Sequence, residues 1–212
     1  MLYSKIMEIY IFDINCILDL QGKELLTAER QSRMERYLRK TDKARCLAAG
    51  LLLRYAFGEE DASRITADSF GKPCLPEGPF FNLSHSGDKV VLLVSDRPSG
   101  VDIEQIAPWS EAVAKRVFTP KEQKWLEAQS GTDAFYRLWT AKESIMKALG
   151  LGFRLPPESF EVSTEENVPN SVCARDWYLR WAEIDGHILC CAADTCFELK
   201  NLRELFLENL LK

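Results

Sequence analysis

Three carboxylates and a lysine carry the chemistry that this chain could do. Glu143 and Lys147 lie four residues apart in the run Trp139-Thr140-Ala141-Lys142-Glu143-Ser144-Ile145-Met146-Lys147-Ala148-Leu149-Gly150. On a helix that spacing puts both on one face with the acid nearer the N-terminus, the favourable order for an ion pair. Taken alone, an ordinary surface salt bridge reads the same way. A second stretch, Gly100-Val101-Asp102-Ile103-Glu104, alternates as a strand does, with Val101 and Ile103 on one side and Asp102 and Glu104 on the other. Two acids on one face of a strand repel unless solvent or a cation intervenes. The stretch is therefore either a wet, exposed edge or a site for a hard cation. Mg²⁺ takes oxygen ligands and binds through a few carboxylates plus substrate phosphates. Glu143 would complete such a set.

The elements that must position these groups follow from periodicity. Phe135, Leu138, Trp139, Lys142, Met146 and Leu149 recur at helical spacing, an apolar stripe with one interruption, and Gly150 and Gly152 supply the stop. The segment 7–14 predicts a short apolar strand. Residues 25–57 are mostly helical, with Thr27 as a cap and Arg30 as third helical residue. Lys40-Thr41-Asp42 breaks the pattern, and a second helix turns Ala44, Leu47, Ala48, Leu51, Leu52 and Tyr55 inward. Arg30, Arg33, Arg36, Arg39, Lys40, Lys43 and Arg45 make this region basic in an acidic chain. A solvated helix face balanced by Glu29 and Glu35 accounts for some of that charge, and a polyanionic ligand would account for the rest.

Gly71, Pro73, Pro76, Gly78 and Pro79 make 70–81 a loop, and 81–86 a strand ending in Ser84-His85-Ser86, which offers several donors to phosphate. Residues 90–95 read as a buried strand, and Arg97-Pro98-Ser99-Gly100 turns the chain into the acidic strand. Residues 106–128 are helical in pieces, where Thr119, Pro120 and Glu122 form a capping-box pattern. Leu155-Pro156-Pro157 follows the key helix, and strands are expected at 160–162, 177–184 and 187–193, with a turn at Val168-Pro169-Asn170. An amphipathic helix is expected over 199–211.

The chain has 212 residues, 46% hydrophobic and 28% charged, which suits one large soluble domain or two small ones. A net charge of −5 argues against general nucleic-acid binding. No apolar run approaches the ~20 residues of a membrane span. Residues 1–14 carry acids inside their apolar run and no small-residue cleavage site, so they do not read as a signal peptide. The seven cysteines (Cys16, Cys46, Cys74, Cys173, Cys190, Cys191 and Cys196) form an odd, scattered set, as expected of reduced thiols in a cytoplasm. His187 with Cys190, Cys191 and Cys196 could suggest zinc, but the spacing matches no common pattern, and buried thiols on a strand are expected instead.

Gly71-Lys72-Pro73, Phe81-Asn82-Leu83-Ser84-His85-Ser86-Gly87, Gly100 to Glu104, Phe118 with Glu122, and Trp139 to Lys147 occur in a characteristic order. In that order and rough spacing the chain resembles the Sfp-type 4′-phosphopantetheinyl transferases. The likeness spans 71–152 and extends more weakly back to about Thr27. It implies an α/β (α+β) fold of two similar halves related by a pseudo-twofold axis, each a small, mainly antiparallel sheet packed with helices, with the active site in the cleft between them. The N-terminal half, 1–99, would bind coenzyme A, and the C-terminal half, 100–212, would carry the metal site and catalytic helix.

The implied activity is Mg²⁺-dependent transfer of 4′-phosphopantetheine from coenzyme A to a serine of an apo acyl or peptidyl carrier protein, releasing 3′,5′-ADP. The resemblance assigns Asp102, Glu104 and Glu143 to the metal, and Arg30, Arg33, Arg45, Lys72, Ser84, His85, Lys142 and Lys147 to coenzyme A. Glu143, Lys147 and Lys142 would be catalytic, with Glu143 as ligand, base or both. It also places Glu122 near the metal. Carrier proteins are, in this family, small acidic helical domains, and 113–118 is the segment expected to receive one. A cytoplasmic monomer without nucleic-acid or membrane partners is implied. Two rivals share the residues: a metal-dependent phosphohydrolase or nuclease, against which Gly71-Lys72-Pro73 and Ser84-His85 count, and a non-catalytic module that recognises carrier domains.

Overall fold

The computed structural model describes residues 7–166 and 168–211, a mixed α/β chain that divides into two compact units. One unit runs to Asp96 and regains the chain from Lys200 onward; the other is Arg97–Leu199. The expected division at 99/100 placed everything after Gly100 in one half. The C-terminal segment instead packs with the N-terminal unit.

The first unit is built on β1 (Glu8–Asp13), whose apolar residues Ile9 to Phe12 are buried. The chain continues through α1 (Ala28–Glu35), α2 (Lys40–Ser63), a small ladder of β2 (Thr66–Ala67) and β3 (Pro73–Cys74), then β4 (Phe80–Ser86) and β5 (Lys89–Ser95). In the main sheet β1 pairs antiparallel with β5, and β5 with β4. Thr27 caps α1 as expected, accepting the Arg30 N–H at 3.4 Å. The break between the helices falls at 36–39 rather than at Lys40-Thr41-Asp42, so those three residues open α2. Ala44, Leu47, Ala48, Leu51 and Leu52 of α2 pack with Phe12, Val90 and Leu92 in one core.

The expected C-terminal helix is absent. Its place is taken by β10 (Leu202–Glu204) and a single turn, α6 (Leu207–Leu210). β10 adds parallel to β1 at the sheet edge, through Ile9 N–H to Asn201 O at 3.1 Å and Leu205 N–H to Ile11 O at 2.9 Å. Leu205 and Leu210 reach the core, so the apolar spacing that resembled a helix is used by a strand followed by one turn. An open strand edge satisfies those backbone groups where a short isolated helix would not.

The second unit contains β6 (Ser99–Gln105), α3 (Glu111–Val117), α4 (Pro120–Glu127), α5 (Asp133–Leu149), β7 (Asn170–Val172), β8 (Arg175–Ile184) and β9 (His187–Ala193). The antiparallel sheet has the order β6-β9-β8-β7. Helix α5 lies across β6 and β9, its Leu138, Ala141, Ile145 and Met146 sharing a core with Trp177, Leu179, Cys190 and Ala192. Residues 160–162 are not a strand. Phe160 and Val162 are buried, but the Val162 N–H is taken at 2.8 Å by the Glu122 carboxylate rather than by another strand. No helix among the described residues is long and apolar enough to cross a membrane.

Candidate active site

The approach of α5 to β6 is set by Gly100. A methyl group built there would stand 2.0 Å from the Ser144 carbonyl oxygen and 2.6 Å from the Ala148 nitrogen. Only the missing side chain lets the two backbones come this close. Asp102 and Glu104 share that face of the strand, because side chains repeat every second residue.

Helix α5 is buried on most of its surface. Thr140 and Ser144 turn their hydroxyls back onto the carbonyls of Tyr136, at 2.7 Å, and Ala141, at 2.9 Å. In the second half of the helix, Trp139, Glu143 and Lys147 stay partly exposed on one stripe. Lys147 Nζ lies 2.6 Å from Oδ1 of the buried Asp102. The Glu143 carboxyl is pushed up from 4.5 to about 7, first by burial and then by Asp102, with Glu104 adding and Lys147 opposing. The three acids and Lys147 thus form one electrostatic unit. Among the described residues no three His, Cys, Asp or Glu side chains stand at coordinating spacing, and the ammonium of Lys147 neutralises Asp102. The donor set is all oxygen, the kind a hard cation takes, and the part of the Glu143 shift that comes from Asp102 and Glu104 is negative charge that such a cation would offset.

Lys142 is a correction to the expected set. It is completely buried, and its three N–H bonds go to Pro157 O at 2.8 Å, to Phe160 O, and to Glu122 Oε2 at 2.8 Å. Burial lowers its pKa, and Glu122 opposes that shift. No donor remains for a phosphate, so Lys142 leaves the catalytic and coenzyme A sets. The Glu122 carboxylate is likewise taken up by structural partners. Besides Lys142, it accepts the N–H of Thr119 and of Val162, both at 2.8 Å. The capping box with Thr119 is present, so this glutamate joins α4, α5 and 160–162 into one buried knot. The interruption in the apolar stripe of α5 is explained by a charge carried inside with its partner.

In the first unit, Ser84 is buried and His85 exposed at the end of β4. Arg45 holds the turn after them, donating to Gly87 O through Nε at 3.1 Å and pairing with Asp42 at 2.9 Å. Lys72 is partly buried, with its pKa lowered first by burial. Its loop is shaped by Asp68, which sequence reading missed. That carboxylate accepts the N–H of Phe70 at 2.8 Å and of Lys72 at 2.9 Å, which depresses its own pKa, while Gly71 takes φ +86°. The aspartate and glycine three residues apart were the available turn cue. Burial lowers the pKa of Arg30, and Arg30 lines a cavity of about 180 Å³ with Thr27, Arg54 and Glu59. Arg45 is directed elsewhere, onto Gly87, so the expected basic set is not gathered on that cavity.

On α3, Lys115 and Arg116 are exposed and Val113 is half exposed, while Phe118 is buried against Phe135 with ring centroids 5.2 Å apart. The expected docking segment is therefore part surface and part core. His187 bonds Asp185 O through Nδ1 at 2.9 Å, Cys190 and Cys191 are buried in β9 with raised pKa values, and Cys196 is exposed.

The family model for the 4′-phosphopantetheinyl transferase superfamily matches residues 98–192, the stretch holding β6, α5 and the acidic group. A 4′-phosphopantetheinyl transferase of Bacillus subtilis is 34% identical over 200 residues, covering 85% of this chain and 89% of the relative. The chain belongs to the 4′-phosphopantetheinyl transferase superfamily. Within that family it is similar to 4′-phosphopantetheinyl transferase Sfp of Bacillus subtilis strain 168, at 34% identity over 76% of this chain and 78% of that one. It is also similar to 4′-phosphopantetheinyl transferase AcpT of Salmonella typhimurium, at 44% identity over 38% of this chain and 46% of the other. Membership of the family makes the chain a transferase. The acidic strand and the helix with Glu143 and Lys147 both fall inside the matched stretch.

Proposed function

We propose that the protein transfers 4′-phosphopantetheine from coenzyme A to a serine of an apo acyl or peptidyl carrier protein and releases 3′,5′-ADP. The observation that carries this reading is the acidic group on β6 and α5, Asp102, Glu104 and Glu143, with Lys147 2.6 Å from Asp102. Mg²⁺ held by the three acids would supply charge neutralisation to the pyrophosphate and polarisation at phosphorus. The serine oxygen forms the new bond at the phosphorus that carries pantetheine, and the pyrophosphate P–O bond breaks with its electron pair leaving on 3′,5′-ADP. Glu143 takes the serine proton directly or through one water. Lys147 offers positive charge to the developing negative charge on the leaving oxygen. Arg30, Arg33, Lys72, Ser84 and His85 contact the coenzyme A phosphates and nucleotide, and Arg45 acts from the turn it holds at Gly87. Phosphoryl transfer depends mainly on such positioning and neutralisation.

The test is intact mass spectrometry of a panel of apo-carrier proteins incubated with the protein, coenzyme A and Mg²⁺. One added phosphopantetheine is expected. No gain across the panel, with Mg²⁺-dependent hydrolysis of DNA or phosphate esters, would replace this reading with the hydrolase.

A further inference from the structure

The link between α1 and α2 is basic beyond anything the active site uses. From Arg33 to Arg45 the sequence holds six cations and two acids, in a chain whose net charge is −5. Asp42 is already paired with Arg45. Arg36, Arg39 and Lys40 are exposed and Lys43 partly so, and none of the four makes a side-chain hydrogen bond or ion pair among the described residues. At the centre of this patch Leu38 is 98% exposed, while its neighbour Tyr37 packs on the core. Arg39 occupies the N-cap of α2 in extended geometry and gives that helix no side-chain cap. The first amides of this long helix therefore lack a side-chain cap, in the same link as the unpaired Arg36, Arg39 and Lys40.

We infer that the α1–α2 link is a docking surface for an acidic protein domain, the carrier substrate, whose carboxylates meet Arg36, Arg39, Lys40 and the open end of α2 while Leu38 enters an apolar groove between its helices. This rests on the carrier protein being the acceptor. Charge complementarity selects an acidic partner, because a bare leucine ringed by cations gains nothing from a neutral or basic one. The shape of the patch selects a protein over a membrane. One leucine is a single weak apolar anchor, and stable attachment to a lipid surface takes at least two signals. A chain of net charge −5 is also repelled by an extended anionic surface, whereas a small domain touches only the local patch. On α3, by contrast, Lys115 is paired with Glu111 at 3.4 Å.

The experiment measures fluorescence anisotropy of a labelled apo acyl carrier protein whose acceptor serine is replaced by alanine. It is titrated with the parent protein, Leu38→Asp, Arg36→Glu/Arg39→Glu and, for comparison, Lys115→Glu/Arg116→Glu. All substituted side chains are on the surface, and circular dichroism checks folding. The α1–α2 variants are expected to weaken carrier binding at least about tenfold, more at low than at high salt, with KM for coenzyme A changed less than about twofold. Unchanged carrier binding in both α1–α2 variants overturns the inference, as does a loss confined to the α3 variant. Absence of binding by the parent overturns it too. So does a parent that binds phosphatidylserine vesicles or a short RNA through these residues and leaves the carrier alone. If the parent binds the alanine carrier through this link but never modifies the serine form, docking stands and the transferase reading falls.

Discussion

At the candidate site the fold changes the chemistry of Glu143. Its carboxyl is pushed up from 4.5 to about 7, so between those values the folded protein holds more protons than the unfolded chain. Stability of the metal-free protein should therefore fall as pH rises through that window and level off above it. Glu143→Gln removes the proton and the decline. In EDTA its Tm should exceed the parent's above pH 7, by about 2 kcal/mol in equivalent stability once partial solvent screening is allowed for, and match it below pH 4.5. Equal pH profiles for both proteins would refute the raised pKa. The same variant should be folded yet lose phosphopantetheine transfer in the mass-spectrometric assay. Lys72→Ala and His85→Ala belong to a different step. They should raise KM for coenzyme A severalfold and leave kcat within about threefold, the signature of binding made equally in ground and transition states. A collapsed kcat with normal KM would contradict that role.

At the scale of elements, α5 is held by one absence and one buried pair. Gly100 supplies the absence. Gly100→Ala should displace α5 from β6 by forcing a methyl group against the Ser144 and Ala148 backbone. The expected cost is about 1–3 kcal/mol in urea unfolding, together with a large loss of transfer, because Glu143 and Lys147 move away from Asp102. A variant with parental stability and rate would show that the close approach is unimportant. The buried pair is Lys142 with Glu122, 2.8 Å apart. Glu122→Gln strands an ammonium inside the protein and should cost about 3–5 kcal/mol. Adding Lys142→Met should recover part of that loss, since it removes the uncompensated charge. A double variant no more stable than Glu122→Gln would show that the charge was not the cost.

At the scale of the whole molecule, the first unit is closed by the end of the chain. Deleting 200–212 removes β10 from β1 and takes Leu205 and Leu210 out of the core. Those two burials contribute at most about 3–6 kcal/mol together. Hydrogen exchange should report the change as lost protection in β1, first at the Ile9 amide that Asn201 accepts. Protection in β8 and β9 of the second unit should be largely kept. Unchanged exchange in β1 would mean that β10 closes nothing.

The sequence by itself determined the short-range features. Alternation in 100–104 placed two acids on one strand face, and helical spacing placed Glu143 and Lys147 on one stripe. The capping pattern at Thr119 and the strands at 177–184 and 187–193 were equally legible, because the residues that define each are neighbours in the chain. The family motifs were local too. Only the tertiary structure decided what depends on distant partners. Lys142 resembled a phosphate ligand until Glu122, Pro157 and Phe160 closed around it. Residues 160–162 lost a strand because a glutamate side chain took the backbone bond, and 199–211 lost a helix because the edge of β1 was available. Gly100 looked like a turn residue, and its use is a contact with a helix more than forty residues away. Periodicity records which side of an element is apolar. It does not record which partner satisfies a buried charge or an open strand edge, and those partners fixed the site.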